Sequence, residues 1–173
     1  MSRYHERCKS VFADHRTLNY ERHIRRDIMK LPEYVSAKEV QRVCRALGLR
    51  NWAEIKKAEV TLQEAQIILN EIKPKGMKIP LEEFKIGLEV ELEHGTRYKE
   101  ANVTNNHPLL TGKIVVAHLK ESLDYYRRLE VAEIEGDLLK AVAGKNLAKA
   151  EAKYRKLVRA KLALAQTESE SLT

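Results

Sequence analysis

Helix-start signals recur at short intervals in this sequence, and they constrain the fold more than any other feature. Ser36, Asn51 and Thr61 are each followed three residues later by a glutamate. At this spacing the side-chain oxygen of the first residue caps free backbone N–H groups, and the glutamate reaches back to the capping residue. Each signal therefore predicts the start of a helix. The predicted ranges are 36–47, 51–58 and 61–72.

Apolar residues continue the helical pattern beyond these three segments. After Pro80 they recur every three or four positions, as on the buried side of a helix, until Gly95 predicts its end. Pro108 begins a second such stripe, because proline suits the first turn of a helix. Ser122 resembles the N-cap of a further helix, which we expect to run from 123 to about 140.

The composition agrees with a helical protein. Of 173 residues, 33% are charged and 43% are hydrophobic, with only 7 Gly and 4 Pro. This mixture is typical of soluble helical proteins rather than disordered or all-β ones. We predict an all-α fold, a small multi-helix bundle with basic extensions. The expected parts are a basic N-terminal arm (1–32), a helical core domain (33–135), and a long basic amphipathic C-terminal helix with a frayed tail (136–173).

The sequence predicts a soluble protein that is not exported and has no membrane partner. It contains no apolar run near the roughly 20 residues that cross a bilayer, and its start, MSRYHERCKS, lacks the apolar stretch of a secretory signal. Cys8 and Cys44 are far apart and have no metal-ligand spacing. We expect both to be reduced thiols, as in an intracellular compartment.

Positive charge is concentrated at the two ends of the chain, whose formal net charge is +7. Residues 140–161 contain eight Lys and Arg against one acid, and residues 1–30 contain eight against four. Such segments contact nucleic-acid phosphates or partner subunits, although a solvated Lys-Ala helix face is an equally good interpretation. The candidate contact residues are Lys145, Lys149, Lys153, Arg155, Lys156, Arg159, Lys161, Arg22, Arg25 and Arg26.

Two pairs of acid and imidazole side chains suggest a metal site. Glu91 and His94 share one flank of a predicted helix, and His118 and Glu121 share a flank of the next. Glu-x-x-His is the spacing by which bundle helices present ligands to carboxylate-bridged di-metal sites. Such sites need more ligands than these four, however. We therefore favour a structural role, in which Glu91 and His118 hydrogen-bond each other across a helix interface, and we expect no cofactor.

Three ordered motifs resemble an uncharacterised domain family found in bacteriophage, large-virus and metagenomic sequences. They are LEEFKIGLEVELEHG, NVTNNHPLLTGKIVVAHL and DYYRRLE, within a segment from about Thr61 to Glu130. The resemblance implies a phage origin and no particular chemistry. His107 stands where members of the family usually have Asp, and Leu123 where they usually have Pro. Since Asp-Pro and a proline at the first helical position are favourable helix starts, we expect both loops to be looser here.

These features favour a non-enzymatic phage structural protein, located in the virion or in the cytoplasm of the infected host cell. Its expected partners are other virion proteins or further copies of itself, with possible non-specific contact to packaged DNA. A nucleic-acid-associated accessory protein is a second hypothesis. The third is a metal-binding protein or metal-dependent enzyme that uses Glu91, His94, His118 and Glu121.

Overall fold

The computed structural model describes residues 35–172, in which six α-helices and two short 3-10 helices occur and no strand is found. The predicted all-α class is confirmed. The N-terminal arm, including Cys8, lies outside the described residues. The α-helices are α1 (Ala37–Leu47), α2 (Leu62–Ile72), α3 (Leu81–Arg97), α4 (Pro108–Glu121), α5 (Tyr125–Ala143) and α6 (Leu147–Ser171). The 3-10 helices are Trp52–Glu54 and Lys99–Ala101.

The predicted N-caps of α1 and α2 form, but Glu39 pairs with Arg42 instead of reaching back to Ser36. The Ser36 hydroxyl accepts a hydrogen bond from the Glu39 N–H at 3.2 Å. At Thr61 the capping box is complete, because the Thr61 hydroxyl accepts from the Glu64 N–H at 3.1 Å and the Glu64 carboxylate accepts from the Thr61 N–H at 3.0 Å. Gly48 ends α1 in the left-handed conformation, with φ of 67°. Local chemistry is sufficient to define both helix starts.

The prediction of a helix over 51–58 was wrong. Asn51 caps a single 3-10 turn, Trp52–Glu54, by accepting a hydrogen bond from the Ala53 N–H at 3.2 Å. Trp52 is fully buried in the core, and the Val60 N–H donates to the Glu89 carboxylate of α3 at 3.0 Å. These tertiary contacts take the chain across to α3, so the capping signal is not followed by a longer helix.

Helices α1 to α4 and the start of α5 enclose the main hydrophobic core. Each of these helices contributes side chains from one apolar face to this core, as expected for amphipathic helices. The fully or almost fully buried large side chains include Val40, Trp52, Ile68, Phe84, Leu88, Leu92, Val115, Leu119 and Tyr126. Because Tyr126 belongs to this cluster, the first turn of α5 is anchored in the core.

Gly95 does not end α3, contrary to the prediction, since the helix continues to Arg97. The glycine instead permits a close approach of the following loop. A Cβ atom at position 95 would lie 2.2 Å from the Asn106 side-chain oxygen, and the Asn102 amide donates to the Gly95 carbonyl at 3.0 Å. A glycine required for packing and a glycine that stops a helix look the same in sequence.

The prediction that Ser122 caps the next helix was also wrong. Ser122 follows the last residue of α4, and α5 begins at Tyr125 with Asp124 as its N-cap residue. The Ser122 hydroxyl donates to the Asp124 carboxylate, which also accepts two hydrogen bonds from Arg128 at 2.7 and 2.9 Å. The Arg128 guanidinium holds the pKa of the Asp124 carboxyl below its usual range.

Helices α5 and α6 form an antiparallel hairpin joined by a short turn at Gly144. A second apolar cluster of Ile134, Leu157 and Ala160 lies between them. The boundary expected between 135 and 136 lies inside α5, and α6 continues through most of the tail expected to fray. Among residues 35–172, no helix combines the length and the apolar content of a membrane span.

Candidate functional site

Three of the four candidate metal ligands lie near one another. The Glu91 carboxylate on α3 lies 3.7 Å from His118 Nε2 on α4 and 3.9 Å from His94 Nδ1 one turn along its own helix. Glu121 is exposed. In the described part of the chain, no group of three or more His, Cys, Asp or Glu is arranged to hold a metal ion. The set Glu91, His94, His118 and Glu121 is therefore not assembled as a metal centre there.

Tyr126 supplies the hydrogen bond that Glu91 receives. Its phenolic O–H donates to Glu91 Oε1 at 2.9 Å. Tyr126 was not among the predicted site residues. The expected hydrogen bond from His118 is not formed, because His118 Nε2 lies 3.7 Å from the carboxylate. Burial, together with the Glu91 charge, raises the pKa of Tyr126. The phenol therefore stays protonated in the folded protein and remains a donor.

His118 is held mainly by aromatic contacts. Its ring stacks on Tyr125 with centroids 4.4 Å apart and planes 13° apart, and it meets the Tyr126 ring edge-on at 5.9 Å. Its Nδ1 is buried and has no hydrogen-bond partner among the described residues. An imidazole that carries out proton transfer is usually oriented by a partner at its second nitrogen. This arrangement resembles a packing contact more closely than an acid–base pair.

The same face of α3 leaves room for the tyrosine by means of a glycine. A Cβ atom at Gly87 would lie 2.5 Å from both the Tyr126 ring and the Val115 side chain. Close by, Arg127 Nε donates a hydrogen bond to Glu83 Oε1 at 2.7 Å, and the two side chains form an ion pair with Nη2 at 2.6 Å from the same oxygen. Only 8% of the Glu83 side chain is exposed. These contacts fasten α5 to α3 and so position the hairpin relative to the core.

The basic residues predicted on α6 divide into two groups. Lys153, Arg155 and Lys161 are each ion-paired, at 2.6 to 2.7 Å, with Asp137, Glu151 and Glu135 respectively. Lys145, Lys149, Lys156 and Arg159 are exposed, and no acid in the described part lies within 4 Å of their charged groups. We call these four residues the basic face. The other candidates, Arg22, Arg25 and Arg26, lie outside the described residues.

The opposite side of the hairpin carries large exposed apolar side chains, which were not predicted from the sequence. Two ion pairs mark the sides: Lys153 and Asp137 on one, Lys161 and Glu135 on the other. Residues seven apart share a helix face, so Tyr154 lies on the side of Lys161. We call the large exposed residues of this side the apolar strip. They are Leu139 (70% exposed), Val142 (58%), Leu147 (82%), Tyr154 (59%), Val158 (52%) and Leu162 (60%).

Most of the core matches one known protein family. Residues 40–135 match the model of a family described as Protein of unknown function (DUF5661). This segment is more than half of the chain. The chain belongs to the DUF5661 family. No curated protein and no solved structure matches it. The expected resemblance to an uncharacterised domain is thus confirmed, and the DUF5661 segment includes Glu91, His118 and Tyr126 but ends inside α5, before α6 begins.

At one of the two positions where a looser loop was expected, the side chain acts as a helix cap. His107 is the N-cap residue of α4, and its Nδ1 accepts a hydrogen bond from the Leu110 N–H at 3.4 Å. Burial lowers the pKa of His107, which keeps the imidazole neutral and able to accept. Only 8% of the residue is exposed. His107 thus supplies the helix cap whose loss was the reason to expect a looser loop here. Leu123 is 44% exposed, in the turn before α5.

Proposed function

We propose that this protein is a non-enzymatic assembly component that self-associates through the apolar strip, so that the hairpins of two copies pack into a four-helix arrangement. The observation that supports this is the exposure of six large apolar side chains on one side of α5 and α6. Monomeric proteins rarely expose apolar patches of more than a few hundred Å². A helix pair with a second apolar side is half of a four-helix bundle.

The area of the apolar strip suits a second copy of the chain. With roughly 200 Å² for each fully exposed large apolar side chain, the strip offers about 760 Å². A stable interface buries about 800 Å² per partner. In a two-fold symmetric dimer the same patch serves both partners, so a single strip is enough.

The charges beside the apolar strip also favour self-association. Arg155 pairs with Glu151 within α6 at 2.6 Å, and Lys161 pairs with Glu135 of α5 at 2.7 Å. The charged groups on the side of the strip are therefore neutralised in pairs, although the whole chain carries a formal charge of +7. Two copies can meet along this side without like-charge repulsion, which the basic face would not allow.

We further propose that the assembly is a bacteriophage virion, in which the protein contacts other structural subunits. This rests on the three motifs that resemble a domain family met in phage sequences. Mass spectrometry of purified particles of the source phage tests it. The protein should be present in constant proportion to the head proteins. Its absence from particles, when it is abundant in infected cells, would remove the virion assignment and leave self-association to be judged separately.

Self-association is tested by light scattering coupled to size-exclusion chromatography. The wild-type chain should elute with twice the monomer mass of 20.0 kDa at micromolar concentration. The double variant Tyr154→Glu/Val158→Glu places two charges in the centre of the strip and should be monomeric. Both positions are more than half exposed, so the helix itself should be retained, as circular dichroism would verify.

Val103→Glu provides the matched control. Val103 is 67% exposed but lies in the loop between α3 and α4, away from the hairpin. This variant should remain dimeric. A monomeric wild-type chain at 100 µM, or a double variant that stays dimeric, would show that the apolar strip does not join two copies.

A further inference from the structure

We propose that the basic face of α6 binds the phosphate backbone of double-stranded DNA without sequence preference. This goes beyond the proposed function, because the basic face and the apolar strip lie on different sides of the hairpin. The face consists of Lys149, Lys156 and Arg159 along α6, with Lys145 in the turn that precedes the helix.

Some basic side chains of α6 are neutralised by ion pairs, and others are free to contact a ligand. Lys153 is only 24% exposed and is bound to Asp137 at 2.6 Å, whereas Lys149, Lys156 and Arg159 are exposed and have no acidic partner among residues 35–172. Spacings of seven and three residues place these three side chains on adjoining parts of one helix surface. The positive charge therefore forms a continuous face, which the sequence total of eight basic residues did not reveal.

The dimensions of this face suit a polyanion. The ten residue steps from Lys149 to Arg159 span about 15 Å of helix, over which a DNA duplex presents roughly nine phosphate charges. The exposed Ala152 lies between the cations and offers no bulk that would keep a phosphate backbone away. Close approach along the length of the face is therefore sterically open.

The residue types favour DNA backbone contact over an acidic protein partner. Protein interfaces are anchored by buried aromatic and large apolar residues, and on this hairpin those residues lie on the other side, in the apolar strip. Lysine carries a point charge on a flexible side chain. It contacts phosphates well, but it lacks the planar guanidinium with which arginine forms two hydrogen bonds to a base edge. Two of the three helical cations are lysines. The expected binding is therefore electrostatic and independent of sequence.

The test is fluorescence anisotropy with a labelled random-sequence DNA duplex of about 30 base pairs, at salt concentrations from 50 to 200 mM. Wild-type affinity should fall steeply as salt rises, as counterion release requires. The triple variant Lys149→Gln/Lys156→Gln/Arg159→Gln should bind at least about tenfold more weakly at 50 mM salt. Its salt slope should be smaller by between two and three, since about 0.9 counterion is released per phosphate contact.

A second triple variant controls for net charge. Lys57→Gln/Lys75→Gln/Lys78→Gln also removes three charges, but from exposed positions in loops outside the hairpin. It should bind DNA within about twofold of the wild type. Equal weakening by the two variants would mean that net charge alone attracts DNA, and the basic face would lose its role.

Two further outcomes would overturn the proposal. One is a wild-type chain that does not bind the duplex at 50 mM salt. The other is displacement of the duplex by polyglutamate as efficiently as by unlabelled duplex at equal charge concentration, which would indicate a site for acidic protein segments. The Tyr154→Glu/Val158→Glu variant separates DNA binding from self-association, because it should be monomeric while its basic face is intact. As a monomer it should still lose affinity when Lys149, Lys156 and Arg159 are also replaced.

Discussion

Tyr126 donates its phenolic hydrogen to the Glu91 carboxylate across 2.9 Å, and this hydrogen bond joins α5 to α3 at the edge of the core. Tyr126 is 1% exposed and the Glu91 side chain 17% exposed. A carboxylate placed this far from water is costly unless a donor satisfies it. The phenol, with its ring packed against His118, provides that donor, so this partly buried polar cluster holds helices together.

Tyr126→Phe should therefore destabilise the protein. The ring remains, but Glu91 loses a hydrogen bond to a charged group, which costs about 2 kcal/mol. Urea denaturation followed by circular dichroism measures the loss. Tyr125→Phe is the control, because Tyr125 contributes its ring to the stack on His118, and its substitution should change the free energy of unfolding by less than about 0.5 kcal/mol. Equal losses in the two variants would contradict the assigned hydrogen bond.

The same tyrosine should make the protein sensitive to alkali. Burial raises the pKa of Tyr126 in the folded protein, so above the unfolded value of about 10 the unfolded chain releases a proton that the folded chain retains. The stability that this group contributes is thus complete below pH 10 and falls above it. Unfolding free energies at pH 8 to 11 should show the advantage of wild type over Tyr126→Phe shrinking above pH 10. An advantage that stays constant to pH 11 would count against the assignment.

Glycine substitutions should report the packing of α5 on α3. At Gly87 an added Cβ would lie 2.5 Å from the Tyr126 ring, so Gly87→Ala should destabilise by about 1–3 kcal/mol. Gly136 lies in the middle of α5 with nothing within 4 Å of such an atom. Gly136→Ala should instead stabilise by about 0.5–1 kcal/mol, because glycine is a poor helix residue. Thermal unfolding of both variants would measure these opposite signs, and two changes of the same sign would contradict this packing.

Features of the fold that depend on adjacent residues were predictable from sequence. The caps at Ser36 and Thr61 and the left-handed stop at Gly48 involve groups within a few positions of each other. The structure of the segment after Asn51 could not be predicted in this way. The burial of Trp52 and the contact of Val60 with Glu89 depend on α3, which lies about 30 residues away. Gly95 was misread for the same reason, since its need for space comes from Asn106.

The candidate site was predictable only in part. The closeness of Glu91 and His118 followed from two helices with matching polar positions, and the structure brings them to 3.7 Å. Tyr126 was missed because its hydrogen bond to Glu91 spans 35 residues and follows no local spacing. The apolar strip was missed for a different reason. The sequence of α6 shows which of its positions are apolar, but it does not show which of these positions α5 covers.

His107 should make stability depend on pH near neutrality. Burial lowers its pKa below the unfolded value of about 6.5, so below that pH the unfolded chain binds a proton that the folded chain excludes. The stability from the neutral imidazole cap is present above pH 6.5 and declines as pH falls through the folded pKa. His107→Asn keeps an N-cap acceptor but does not titrate. Denaturation from pH 7.5 to 5 should show a steeper decline in wild type, and parallel curves would refute this.

Cys44 should be inert in the folded protein. It is 1% exposed, its sulfur accepts a hydrogen bond from the Trp52 N–H at 3.5 Å, and burial raises the pKa of its thiol. A thiol reacts as thiolate, so both protonation and burial protect it.

In a Cys8→Ser background, a disulfide reagent at pH 8 should modify Cys44 of the native protein only as fast as the core opens. In 6 M guanidinium the reaction should be at least about a hundredfold faster. Gly87→Ala, which loosens the same core, should accelerate the native reaction, whereas Gly136→Ala should not. Rapid labelling of the native protein would place Cys44 outside the core and contradict its packing against Trp52.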